Sequence, residues 1–130
     1  QHWVYTNPEH TRAERHAKWL ELGDRYGSVL DWSGFEDWRN VGWQRQLHLF
    51  SYPFYYIEYG IAQLGALQMW LQYKESPQMA LSNYAKSMRL GGSRPLPNLF
   101  EAGGMSFDLG HSTVQGLIDA VRDELAKLPA

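Results

Sequence analysis

From Phe54 to Tyr73 the chain is apolar on nearly every side of a helix, interrupted by Glu58, Gln63, Gln68 and Gln72. A helix without a polar face cannot lie on a surface, so its neighbours must surround it. Gly60, Ala62, Gly65 and Ala66 would let those neighbours approach closely. The run is long enough to span a membrane, but a mid-bilayer acid such as Glu58 costs about 2.5–3.5 kcal/mol, so a buried helix outside any membrane is expected. Pro53 suits the first turn of this helix, where its missing N–H would have no partner.

Segments on either side read as further helices. Residues 1–7 end a helix broken by Asn7-Pro8, because the residue before proline disfavours the helical region. Thr11-Arg-Ala-Glu14 has the capping-box form and starts a helix with Ala13, Ala17, Leu20 and Tyr26 roughly along one face, ending near Gly27. Ser28 to Gly34 reads as a loop. Phe35, Trp38, Val41 and Trp43 form an amphipathic segment running towards His48.

Beyond the central helix, Ser76-Pro77 begins a helix through Met79, Leu81, Tyr84 and Met88, stopped by Gly91-Gly92. Pro95 and Pro97 predict an extended connection to a short helix at Asn98 to Ala102. Ser112 or Thr113 would cap a last helix striped by Val114, Leu117, Ile118, Val121, Leu125 and Leu128. The predicted fold is all-α, with residues 1–130 as one helical unit.

Charge and composition narrow the function. A net charge of -2 and a pI near 6.2 leave no electrostatic footprint for nucleic acid. The absence of cysteine excludes disulfides and thiolate metal sites and fits the cytoplasm. Aromatic residues make up 15% of the chain, including six tryptophans, a load of apolar surface that predicts an exposed face for a partner.

The stretch carrying most chemistry starts at His48 and includes Tyr52, Tyr55, Tyr56 and Tyr59. Imidazole and phenol groups are hydrogen-bond donors that can stabilise an oxyanion, and on a helix opening at Pro53, Tyr55 and Tyr59 would share a face. Core packing is the competing role for the same tyrosines.

The stretch PFYYIEYGIAQLGALQMW, Pro53 to Trp70, resembles the C-terminal part of the catalytic domain of the oligoendopeptidase F family, thimet-oligopeptidase-like zinc metallopeptidases. QHWVYTNPEHT and Leu90-Gly-Gly-Ser93 support the match. The resemblance implies one wall of a helical, zincin-like peptidase that cleaves short peptides, and it implies His48, Tyr55, Tyr56 and Tyr59 as the groups beside the scissile carbonyl. The family's metal motif is H-E-x-x-H, yet none of the five histidines is followed by glutamate, so no zinc site is expected in this chain alone. The expected partner is the N-terminal part of the catalytic domain, on a longer chain of which this is a truncated piece, or an oligomeric partner. The competing reading is a metal-free helical module that binds peptides or a protein.

Other candidates read as structural. Glu58, in the apolar helix, is expected to find a hydrogen bond or ion pair. Asp31, Glu36 and Asp37 fall in or beside a glycine-containing loop and suit capping. His10 and His16 do not share metal-ligand spacing and read as surface residues. Gly91-Gly92-Ser93-Arg94 is a poor phosphate loop and a better helix stop.

Overall fold

The computed structural model describes residues 1–27 and 29–129, so Ser28, first residue of the expected loop, lies outside the described residues. Every regular element among the described residues is helical, with no strand, and the protein is all-α. The contacts within the chain gather into two compact units, Gln1–Ile57 and Glu58–Ala130.

In the first unit, α1 (His2–Thr6) ends where the Asn7 N–H reaches the Trp3 carbonyl at 3.0 Å, just before Pro8. α2 (Arg12–Tyr26) opens with both arms of its capping box: Thr11 Oγ1 accepts from the Glu14 N–H at 3.2 Å, and Glu14 Oε2 accepts from the Thr11 N–H at 2.7 Å. The Thr11 N–H, and then its hydroxyl, hold the Glu14 carboxyl below the usual carboxylate range. Thr11→Ala removes the cap and is expected to cost about 1 kcal/mol, read as a lower urea midpoint. An unchanged midpoint would mean that α2 is held by packing alone.

The amphipathic run after Gly34 divides into α3 (Glu36–Val41), a 3-10 turn (Gly42–Arg45) and α4 (His48–Ser51). The indole N–H of Trp19 donates to the Arg39 carbonyl at 2.9 Å, and the Gly42 N–H shares that acceptor. A carbonyl so engaged favours the tighter turn over another α-helical bond. The Trp19 ring packs against Gly42, its nitrogen 3.4 Å from where a Cβ would stand, an ordinary contact distance. Trp43 is the buried centre of the unit, with the Phe50 ring at 5.8 Å, the His16 ring at 6.3 Å and the Arg15 guanidinium 5.0 Å over its face. His16 is therefore half-buried rather than a surface residue. So is His10, whose ring meets Trp3 edge-on at 5.1 Å.

The second unit contains α5 (Ile57–Glu75), α6 (Pro77–Leu90), α7 (Leu96–Ala102) and α8 (His111–Leu125). Two of the glutamines interrupting the apolar run hold the loop after α7. Gln68 pairs with both backbone groups of Ser106, at 3.0 and 2.8 Å. Gln72 donates to the carbonyls of Gly103 and Gly104 at 3.1 and 3.0 Å and accepts from Asn83 at 2.9 Å. Phe100 is buried over Gly65, where a Cβ would stand 3.0 Å from its ring, and meets Phe107 edge-on at 5.3 Å.

Three helix starts differ from expectation. α5 begins at Ile57 rather than Pro53, because Phe54 takes a left-handed φ of 59° that no helix accommodates. α7 begins at Leu96 and takes Pro97 into its first turn, where proline has no N–H to lose, so only Pro95 remains outside the helix. α8 is led by Gly110 without a side-chain cap rather than capped by Ser112 or Thr113, and Asp108 ties down its start by taking the Gly110 N–H at 2.8 Å and the Thr113 hydroxyl.

Those bonds, the Thr113 hydroxyl first and the Gly110 N–H second, hold the Asp108 carboxyl below its ordinary 3.8. A carboxylate depressed on folding stabilises above its unfolded value, and the gain is lost as pH falls through the folded one. Asp108→Asn is expected to lower stability at neutral pH, with the difference from wild type vanishing well below pH 3.8. An equal difference at both pH values, by thermal melts, would remove the carboxylate from the account.

Burial of α5 is much less than its sequence demands. Only Ile61 and Gly65 are buried along it, and Glu58 is exposed rather than enclosed with a partner. The chain exposes 10039 Å². A compact protein of this mass would expose about 7,100 Å², and two separate compact halves about 8,500 Å². Even counted as separate bodies, the units carry about 1,500 Å² more surface than their mass requires.

Candidate functional site

The site is built by a bend that begins with Gln1. Its side chain donates to the carbonyls of His48 and Leu49 at 3.3 and 3.4 Å and accepts the Phe54 N–H at 2.8 Å. One amide thus holds both ends of the segment from α4 to Phe54. The Phe54 ring stacks on Tyr5 at 5.3 Å, which helps maintain a backbone conformation that costs roughly 1–3 kcal/mol.

The bend gathers rings around His48. Tyr56 lies 5.2 Å from the imidazole centroid, Tyr55 stacks nearly parallel to it at 6.0 Å and 5°, and Tyr52 lies at 6.2 Å. Tyr52 and Tyr55 also meet, at 6.2 Å. His48 is half-buried and the three tyrosines are exposed. Within the first unit, the structure brings together His48, Tyr55 and Tyr56. Tyr59 stands exposed on the first turn of α5 in the other unit. The tyrosines gather by chain reversal and not by the shared helical face expected of Tyr55 and Tyr59.

Tyr52 belongs to the expected histidine and tyrosine stretch but not to the four groups that the resemblance implies, and Gln1 was not expected in the site at all. Tyr52 stands four residues after His48, a spacing readable as one helical face. Gln1 has no sequence signal, because its partners lie 47, 48 and 53 positions away.

Chemically, the cluster presents phenol O–H groups and an imidazole, groups able to donate to a carbonyl oxygen. Among the described residues no three histidine, cysteine, aspartate or glutamate side chains gather to hold a metal ion.

The remaining candidates resolve into local structure. Asp31 accepts from the hydroxyl and N–H of Ser33, at 2.6 and 2.9 Å, which lower its pKa in that order. The Glu36 carboxyl is lowered by its own N–H first and by that of Gly34 second. These acids shape turns beside a cleft of about 680 Å³ lined by Leu20, Asp24, Trp32 and Arg39, with Arg39 paired to Asp24. His10 Nδ1 lies 2.6 Å from the Asn7 carbonyl and its Nε2 accepts from Arg15 at 2.7 Å, a pattern that needs the Nδ1–H tautomer. Gly91 closes α6 with a φ of 51°, its N–H on the Met88 carbonyl at 3.1 Å, as a helix stop.

No family model and no curated protein matches the chain. Among solved structures, a PZ peptidase A determined with an inhibitor is similar at a TM-score of 0.89 and 32% identity over 98% of this chain. A protein assigned as an oligoendopeptidase F is similar at a TM-score of 0.82, with 32% identity over 98% of this chain. The chain spans 23% of the length of each of these two relatives.

Proposed function

The chain is oligoendopeptidase F-like over 98% of its length, and from that premise we propose that it serves peptide cleavage, binding short peptides and stabilising charge on the scissile carbonyl oxygen. The observation that supports this most is the gathering of Tyr52, Tyr55 and Tyr56 around His48. In this reading His48, Tyr55 and Tyr56, with Tyr59 on α5, are the donors. Phenols suit the task because they are neutral: they enter a site without the cost of burying a charge and bond most strongly when the substrate oxygen becomes negative.

Peptidases of this class use zinc, which activates the attacking water. The described residues do not fit that ion, since no three candidate ligands gather and no histidine precedes a glutamate. The metal therefore belongs to peptidase residues outside the described set, carried by the remaining catalytic domain or by an oligomeric partner. A cytoplasmic setting belongs to the same reading.

Intact mass, zinc content and cleavage of a quenched short peptide, measured on the natively expressed protein, test the proposal. A zinc-bearing, peptide-cleaving species that contains this chain supports it. A species of about 15.1 kDa with neither zinc nor activity would favour a metal-free interaction module, the reading to which the exposed apolar side chains also lend weight.

A further inference from the structure

The first turn of α1 grips Phe54 twice. The Gln1 side-chain oxygen accepts the Phe54 N–H at 2.8 Å, and the Tyr5 ring stacks on the Phe54 ring at 5.3 Å. The two grips are tied to each other, because the Tyr5 N–H donates to the Gln1 carbonyl at 3.1 Å. The amide nitrogen of the same Gln1 side chain reaches the carbonyls of His48 and Leu49 on α4. Burial does little to fix this bend, since every residue from Ser51 to Tyr56 is exposed. Phe54 nevertheless holds a φ of 59°, a conformation that a residue with a Cβ disfavours. Released from α1, its backbone would return to the ordinary negative φ and swing Tyr55 and Tyr56 away from His48.

We propose that Gln1 and Tyr5 are positioning residues for catalysis: α1 keeps the bend around Phe54 in its strained form, and that form alone presents the rings of Tyr55 and Tyr56 beside His48. This rests on the peptidase reading above. Both residues act through Phe54. Gln1 suits the task because one amide offers an acceptor to the Phe54 N–H and donors to two carbonyls, a combination that neither a carboxylate nor an apolar chain of the same length supplies. The strained residue makes the site sensitive to this hold. The left-handed form of a residue other than glycine is disfavoured by about tenfold in population, so loss of the hold lowers the fraction of molecules with gathered rings by about that factor. Donors that bond an oxygen becoming negative in the transition state contribute little to substrate binding, so the smaller fraction shows in kcat and not in KM.

Steady-state cleavage of a quenched short peptide by the natively expressed species tests this. Gln1→Met keeps the length of the side chain and removes its acceptor and donors, and is expected to lower kcat about tenfold while KM stays within about twofold. Tyr5→Leu keeps the backbone bond to Gln1 and loses the stack. It is expected to lower kcat several-fold, and gives the same reading where Gln1→Met does not fold. Phe54→Gly separates positioning from plain stability. Glycine takes a positive φ about as readily as a negative one, so adding Phe54→Gly to either variant is expected to recover several-fold in kcat, although it loosens the chain. A role in stability alone predicts the reverse, a further loss with the more flexible glycine. Undiminished kcat in Gln1→Met, or a loss that Phe54→Gly deepens, in a protein whose wild type cleaves peptide would overturn the positioning role and leave the peptidase reading standing. Failure of the peptidase reading shows separately, as a wild type that cleaves no peptide.

Discussion

On the proposed peptide-cleaving function, Tyr56→Phe in the natively isolated species is expected to lower kcat by about 10²–10³ while leaving KM nearly unchanged. Tyr56 is the nearest tyrosine to His48, at 5.2 Å between ring centroids, and the substitution removes one phenol oxygen while keeping the ring that packs there. A donor whose partner gains charge only in the transition state contributes little to substrate binding, so the loss falls on kcat. His48→Ala is expected to lose activity by a similar factor. If the two groups serve the same oxygen, the double variant should lose much less than the product of the separate losses. A Tyr56→Phe protein with undiminished kcat would end the donor role for this residue and return it to packing.

The largest effect on stability is expected at Phe100. This ring is 9% exposed, fills the space over Gly65 and meets Phe107 edge-on at 5.3 Å. Phe100→Ala leaves a cavity and is expected to destabilise the second unit by about 3–5 kcal/mol. Whole domains are stable by about 5–15 kcal/mol, so the cooperative urea transition of this unit should move to much lower urea. Gly65→Ala tests the same contact from the other side, since its new Cβ would stand 3.0 Å from the Phe100 ring. That strain should be relieved in a Phe100→Leu background, giving a coupling that a double-mutant cycle reads directly. A shift under about 1 kcal/mol for Phe100→Ala would mean that α5 and α7 are held elsewhere.

Much of the helical scheme was legible because its signals are local. Thr11 and Glu14 begin α2 through bonds three residues apart, Pro77 begins α6, and Gly91 ends it with a positive φ. The starts of α5, α7 and α8 were misplaced where another arrangement won. Phe54 reverses the backbone under the hold of Gln1, Pro97 joins the first turn of α7, and α8 starts before Ser112 and Thr113, with Asp108 bound to the Gly110 N–H and the Thr113 hydroxyl. The candidate site was legible as residue types, with His48, Tyr55 and Tyr56 named and Tyr52 adjacent. Its assembly was not, because the clamp that sets it lies at the opposite end of the first unit's sequence.

Local chemistry in the sequence determined an all-α protein, a long apolar helix that needs covering, and a histidine among tyrosines able to donate hydrogen bonds. These follow from side-chain polarity, helical period and caps, which act over a few residues. Only the tertiary structure decided that Gln68 and Gln72 hold the 103–106 loop, that α6 turns Leu81, Tyr84 and Met88 outwards, and that a left-handed Phe54 folds Tyr55 and Tyr56 back onto His48. Each depends on which distant groups satisfy a buried amide or fill a space, and a one-dimensional pattern does not contain that pairing.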